Sequence, residues 1–356
     1  MLAARMHSHR TIPRTPSAWR TLLATLGLAG AAATPVIAAD EGLMKDVTFG
    51  DYAAAASSSE LARRVLTPLA FERLAPRLAS ANAEPLDLAQ ERFVVYVPPG
   101  APPPGGYGLL VFIPPWPEAA LPKDWLRVLD RHGMLFVSAA HSGNDADTLD
   151  RRIPLALLGY ENIRKRYRLD PDRTYVGGLS GGSRVALRVA LAYPDLFRGA
   201  LLNAGSDPLG GDGIALPPAD LFRRFQDSTR LVFLTGDRDE VNLHNDLVSR
   251  KSLHDWCVLD VASVTMPRTG HRIADAAGLE RALKALDAPN DVDAAKLASC
   301  RADVEHVLAA ATADAEAAIA AGDRVRAREI LNAIDARYGG VAAAEIASLR
   351  KKLGSP

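Results

Sequence analysis

Residues 169–203 read LDPDRTYVGGLSGGSRVALRVALAYPDLFRGALLN, and how this stretch folds decides how the whole chain folds. Thr174, Tyr175 and Val176 close a short β-branched and aromatic run that predicts a strand. Gly177 and Gly178 follow, then Leu179, Ser180, Gly181 and Gly182. Beyond them Val185, Leu187, Val189, Ala190 and Leu191 suit a buried helix. Gly178-Leu-Ser180-Gly-Gly182 is therefore a G-x-S-x-G set between a strand and a helix, the context that gives this motif its meaning. A sharp strand-to-helix turn holds the central serine at strained backbone angles, and a Cβ two positions to either side would strike neighbouring chain. The same turn puts the Ser180 hydroxyl at a helix N-terminus, where free N–H groups and the helix dipole favour developing negative charge.

Outward from this motif, strands and helices alternate. Residues 92–97 and the apolar run 107–113 predict strands, separated by a loop rich in proline and glycine. A helix over 123–132, a strand over 134–139 and a helix over 149–167 lead to the serine motif. After it come strands at 199–204, 231–234 and 263–266, with helices at 217–225, 242–256 and 274–286. Repeated strand-then-helix units with apolar strands predict a mainly parallel sheet covered by helices on both faces. In such sheets functional side chains gather beyond the carboxyl ends of the strands.

A serine nucleophile needs a base, and the base an orienting acid. Strand 231–234 runs into Thr235-Gly-Asp237-Arg-Asp239-Glu240, and strand 263–266 runs into Pro267-Arg-Thr-Gly270-His271. His271 sits in a strand-end loop directly before a helix. The other histidines lie near the N-terminus, in predicted helices or upstream of Ser180. Asp237, Asp239 and Glu240 compete for the acid, with Asp207 a weaker candidate. The chain order serine, acid, histidine is that of the α/β-hydrolase triad.

Gly236-x-x-Asp239-x-x-Asn242 resembles the acid segment of secreted esterases related to polyhydroxyalkanoate depolymerases and to feruloyl and acetylxylan esterases. Residues 169–197 resemble the nucleophile segment of the same group, and the likeness covers roughly residues 93–286. The resemblance implies an α/β-hydrolase fold, with Ser180 as nucleophile, His271 as base and Asp239 as acid; Asp237 is left to cap or brace its loop. The chain departs from the group where many relatives carry His-Gly after the strand at 107–113: here Pro114-Pro115-Trp116 stands instead. Proline has no N–H to donate. An oxyanion hole must then use the Gly181 amide, plus the Trp116 amide or a side chain further on. Without a second donor, transition-state stabilisation falls by ~2.7–4 kcal/mol. No metal or cofactor is implied.

The flanks differ from this middle. The chain has 356 residues, and 42 basic residues balance 42 acidic ones, so no nucleic-acid footprint or polybasic membrane patch is expected. Residues 1–39 combine four arginines, the apolar run LLATLGLAGAAA at 22–33 and small residues at 38–39. That run is too short to span a bilayer, and the segment is expected to be a secretory signal removed after Ala38 or Ala39. No membrane span is expected after its removal. No cysteine follows the cleavage region to carry a lipid. Residues 40–90 predict an N-terminal helical extension, 91–288 the catalytic domain, and 291–354 an alanine-rich helical tail broken at Gly322 and at Gly339-Gly340. The tail is expected to pack on the catalytic domain as a small bundle or to bind a protein partner. Cys257 and Cys300 are the only cysteines; an exported pair can bridge, but two separate buried thiols fit the sequence as well. The expected activity is that of an exported, periplasmic or extracellular serine esterase on a small or polymer-derived ester. A serine peptidase of the same fold, or a catalytically weak binding protein, are the alternatives.

Overall fold

Central strands of the chain are apolar on both faces because both faces are covered, and this fixes the architecture. The computed structural model describes residues 41–80 and 86–354; the expected signal segment lies outside them. Eight strands form one sheet: β1 (Gly42–Val47), β2 (Phe93–Val97), β3 (Tyr107–Ile113), β4 (Met134–Ala139), β5 (Leu169–Leu179), β6 (Gly199–Asn203), β7 (Arg230–Gly236) and β8 (Val261–Met266). Their spatial order is β1-β2-β4-β3-β5-β6-β7-β8. β2 runs antiparallel to both β1 and β4, and every pairing from β4 through β8 is parallel. This is the α/β-hydrolase fold.

The helices are α1 (Ser58–Val65), α2 (Pro68–Ser80), α3 (Leu126–His132), α4 (Ile153–Arg166), α5 (Gly181–Ala192), α6 (Ala219–Ser228), α7 (Glu240–Asp255), α8 (Ala276–Leu286), α9 (Ala294–Ala320), α10 (Arg324–Tyr338) and α11 (Ala343–Leu353). One sheet face packs on α4, α5 and α6. The other packs on the turn that ends at Trp125, on α3 through Leu129, and on α8 through Leu279 and Leu283. All residues of β2, β3, β4, β6 and β7 are buried, as a doubly covered sheet requires.

The N-terminal extension differs from its helical expectation at its start. Residues 42–47 form an edge strand, with Leu43 opposite Tyr96 and Met44 opposite Val95. Its residues are half-buried or exposed, and Lys45 and Asp46 keep the edge charged, which discourages pairing with other chains. Helices α1 and α2 follow as expected.

The three tail helices fill the same core as the sheet. Leu308, Leu331, Ile334, Tyr338 and Ile346 are buried in one apolar cluster with residues of α5. Trp256 meets Tyr338 edge-on at 5.5 Å, and the Gly340 N–H donates to Leu216 O at 2.8 Å. Arg301 reaches back to Gln226 and Asp227, both at 2.7 Å. Cys257 and Cys300 form a disulfide between the end of α7 and α9, with Cα atoms 5.8 Å apart. Among the described residues no helix is long and apolar enough to cross a membrane.

Register brings the strand ends together. Leu179 lies opposite Asn203, Asn203 opposite Leu234, and Gly236 opposite Met266. The loops that follow β5, β7 and β8 therefore leave from one rim of the sheet, and they carry Ser180, Asp239 and His271.

Candidate active site

Ser180 occupies the turn between β5 and α5 with φ 55° and ψ −120°. A non-glycine residue at positive φ costs on the order of 1–3 kcal/mol, and the surroundings hold it there. The Ser180 N–H donates to Asn203 O at 2.9 Å. A Cβ on Gly178 would overlap the Gly182 backbone, and one on Gly182 would overlap the Ile113 carbonyl oxygen. Only glycine at both positions lets the helix start this close to the sheet.

Asp239 caps α7, accepting from the Asn242 N–H at 3.4 Å. It is 6% exposed. Its Oδ2 lies 2.7 Å from His271 Nδ1, and the Asn242 Nδ2 stands 2.9 Å from both carboxylate oxygens. Burial alone would raise the pKa of this carboxyl, but hydrogen bonds from Asn242 and His271 outweigh it and hold it below the usual value. An ionised acceptor at this position keeps a proton on Nδ1 and leaves Nε2 of His271 as the basic nitrogen. Gly236 explains how the two loops meet: a Cβ there would overlap the Thr269 carbonyl oxygen.

Two of the competing acids, Asp237 and Asp207, are engaged elsewhere. Asp237 accepts from the Arg268 and Thr269 N–H groups at 2.8 and 3.0 Å, which braces the loop that carries His271. Asp207 pairs with Arg184 and Arg188. Glu240 is exposed at the start of α7. Among the described residues, no group of three or more His, Cys, Asp or Glu side chains is arranged to hold a metal ion.

Two asparagines at the site escape a reading of the sequence. Asn203 is fully buried, and its Nδ2 donates to Leu234 O at 2.9 Å and Arg272 O at 3.4 Å. Its Oδ1 accepts from the Ala274 N–H at 2.9 Å. With its carbonyl on Ser180, this residue joins the serine turn to the histidine loop. The only signal for it in the sequence is an amide ending the apolar run GALLN. Asn144 is the second. Its side chain lies against Gly181, where an added Cβ would overlap Oδ1 and sit 2.8 Å from Cγ. The Asn144 N–H donates to Pro115 O at 3.0 Å and the His141 N–H to Pro117 O at 2.6 Å, so residues 141–144 clamp the segment around half-buried Trp116. Arg152 completes the clamp by donating to Ser142 O at 2.8 Å and Pro114 O at 3.1 Å.

The chain matches no protein-family model and no curated protein. Among solved structures it is similar to a thermostable esterase at 19% identity and a TM-score of 0.38, over 50% of this chain and 51% of that one. It is similar to Est1E from Butyrivibrio proteoclasticus at 15% identity and a TM-score of 0.39, over 55% of this chain and 91% of that one. It is also similar to Porphyromonas gingivalis dipeptidyl peptidase 4 at 14% identity and a TM-score of 0.40, over 55% of this chain and 33% of that one. The chain thus spans about half the length of the thermostable esterase and a third of the peptidase. The sheet order and the serine turn, rather than these likenesses, carry the fold.

Proposed function

We propose that this chain is a serine hydrolase that cleaves carboxylic esters through an acyl-enzyme on Ser180. The observation that carries the reading is the buried Asp239 in contact with the His271 imidazole, on the same sheet rim as a serine held in a strained strand-to-helix turn. In this reading His271 Nε2 takes the Ser180 proton as Oγ attacks the ester carbonyl, and Asp239 stabilises the imidazolium that forms. His271 then returns the proton to the departing alcohol. Water, activated in the same way, releases the acid.

The Gly181 N–H at the start of α5 is the first oxyanion donor. Trp116, which the sequence singles out, and Asn144, whose side chain lies against Gly181, are the two candidates for the second. No metal or cofactor takes part in this scheme. The Cys257–Cys300 disulfide supports an oxidising compartment, so the protein is proposed to work outside the cytoplasm, in the periplasm or beyond.

A panel of p-nitrophenyl esters against aminoacyl anilides tests the substrate class. Turnover of the esters supports the reading, and turnover confined to the anilides would assign the site to a peptidase. Failure of Ser180 to react with a fluorophosphonate would leave the chain as a binding protein with the helices of residues 291–354 as its partner surface.

A further inference from the structure

A cavity of about 520 Å3 includes Gly181, the residue after Ser180, in its lining. Gly181, Arg184, Val185 and Arg188 all line it, because residues at i, i+3, i+4 and i+7 share one face of α5. Arg152, before α4, and Arg64, from α1, complete the basic lining.

The lining itself carries four arginines and one carboxylate. Arg64 is answered by Glu60 at 2.6 Å and Asp195 at 2.7 Å. Arg184 and Arg188 divide one carboxylate, Asp207, at 3.0 and 2.7 Å. Arg152 is 4% exposed and gives Nε and Nη2 to the Ser142 and Pro114 carbonyls rather than to a carboxylate. Burial lowers the Arg152 pKa, Asp145 opposes that, and the positive charge of Arg188 adds to it. Four arginines therefore line a cavity whose wall holds, among the described residues, the single carboxylate of Asp207, with Glu60, Asp195 and Asp145 lying outside that lining. Like charges gathered in a partly enclosed space are costly until an anion enters, and the guanidinium fork suits a carboxylate.

We infer that this cavity receives the acyl half of the substrate and is built for a chain that ends in a carboxylate, so the substrate class is a half-ester of a dicarboxylic acid. The inference rests on the serine-hydrolase reading. Gly181, whose N–H would face the acyl oxygen, lines the cavity, and this shared residue is the ground for assigning the acyl half to it. At 1.5 Å per residue, Arg184 and Arg188 stand roughly 4.5 and 10 Å along α5 from Gly181, a reach that suits short to medium diacids. The products are the free dicarboxylate and an alcohol, with water as the only co-reactant.

The test compares mono-p-nitrophenyl adipate with p-nitrophenyl hexanoate, which share acyl length and differ in terminal charge. The parent is expected to prefer the anionic ester in kcat/KM, and Arg188→Gln to lower that preference by about tenfold or more, as loss of a charged hydrogen-bond partner does. Arg188→Lys should restore part of it, and Arg184→Gln serves if Arg188→Gln fails to fold. In parallel, free adipate should raise the Tm of Ser180→Ala, and that rise should vanish in Ser180→Ala with Arg188→Gln. A parent that prefers the hexanoate ester, or an unchanged preference in the arginine variants, would overturn the inference. Equal stabilisation by inorganic phosphate would replace the dicarboxylate with a phosphoryl ligand and overturn the half-ester class. Absence of fluorophosphonate labelling would instead remove the hydrolase reading, and the adipate shift would then judge the anion site alone.

Discussion

Asp239→Asn removes one negative charge from a side chain that is 6% exposed and little else. In the parent, Oδ2 faces His271 Nδ1 at 2.7 Å while the Asn242 Nδ2 stands 2.9 Å from both oxygens. An amide in that position turns one acceptor into a donor, and it must then oppose either the Asn242 amide or the His271 Nδ1–H. The first choice leaves two buried donors facing each other. The second drives the imidazole to the other tautomer and takes the lone pair from the nitrogen that should accept the serine proton. Loss of an orienting acid costs about 10⁴ in kcat in comparable triads, or ~5.5 kcal/mol of transition-state stabilisation. The cap on α7 survives, because asparagine caps helices as well as aspartate does, so the variant should melt close to the parent. The assay is kcat on a p-nitrophenyl ester beside a thermal melt, with Asp237→Asn as the partner variant. Asp237 accepts the Arg268 and Thr269 N–H groups, and its loss should lower Tm more than kcat. A large drop in kcat for Asp237→Asn with near-normal turnover in Asp239→Asn would refute this reasoning.

Further outcomes follow from the oxyanion loop, the tail and the ionised clusters. Trp116→Pro removes a backbone donor and Asn144→Ala a side-chain amide; whichever supplies the second donor should lose about 10²–10³-fold in kcat, and Trp116→Ala should mainly raise KM. Parent-like kcat in both the well-folded Trp116→Pro and the well-folded Asn144→Ala variant would rule out both. Removing residues 291–356 takes Leu308, Leu331, Ile334, Tyr338 and Ile346 out of the common cluster and exposes their partners there, Phe222 and Trp256 among them. Each such loss is worth ~2–5 kcal/mol against a total stability of about 5–15 kcal/mol, so the shortened chain should be insoluble, and a soluble product with a cooperative melt would contradict this. Glu280 and Asp287 are held down to about 2, Glu280 chiefly by Arg131 and Asp287, against its burial, by His132, Arg173 and Tyr175. Their contribution is present above the ordinary values of 4.5 and 3.8 and is lost as pH falls towards about 2. Tm should therefore drop over that window, less steeply in Asp287→Asn. His132 works the other way: Asp287 and Glu280 raise its pKa, so its contribution is complete below the ordinary 6.5 and fades as pH climbs through the raised value.

The serine turn was legible because its glycines stand at fixed spacing about the serine: Gly178 and Gly182 flank a residue at positive φ, and a side chain on either glycine would strike backbone. The sheet was legible because strands buried on both faces are apolar at every position, as β3 and β4 are. β1 was not, since an edge strand carries Lys45 and Asp46 and buries little, and its identity lies in backbone pairing with β2. The helical tail was read correctly, but its place in the common core depends on contacts such as Trp256 with Tyr338 that no local pattern encodes. The Cys257–Cys300 bridge needed Cα atoms brought to 5.8 Å, which spacing cannot reveal. Asn144 and Asn203 act through loops distant in sequence from Gly181 and His271, and single polar residues carry no period by which to find them. The arginines of α5 were visible as letters; the cavity that collects them with Arg152 was not.

The central claim is that Ser180 is a nucleophile served by His271 and Asp239. Its most direct test is reaction of the full-length protein with a fluorophosphonate, followed by mass-spectrometric mapping of the adduct. The account predicts a single stoichiometric adduct on the peptide that contains Ser180, lost in Ser180→Ala with Tm nearly unchanged and strongly slowed in His271→Ala. An adduct on any other residue, or ester turnover that survives in a folded Ser180→Ala variant, would contradict it.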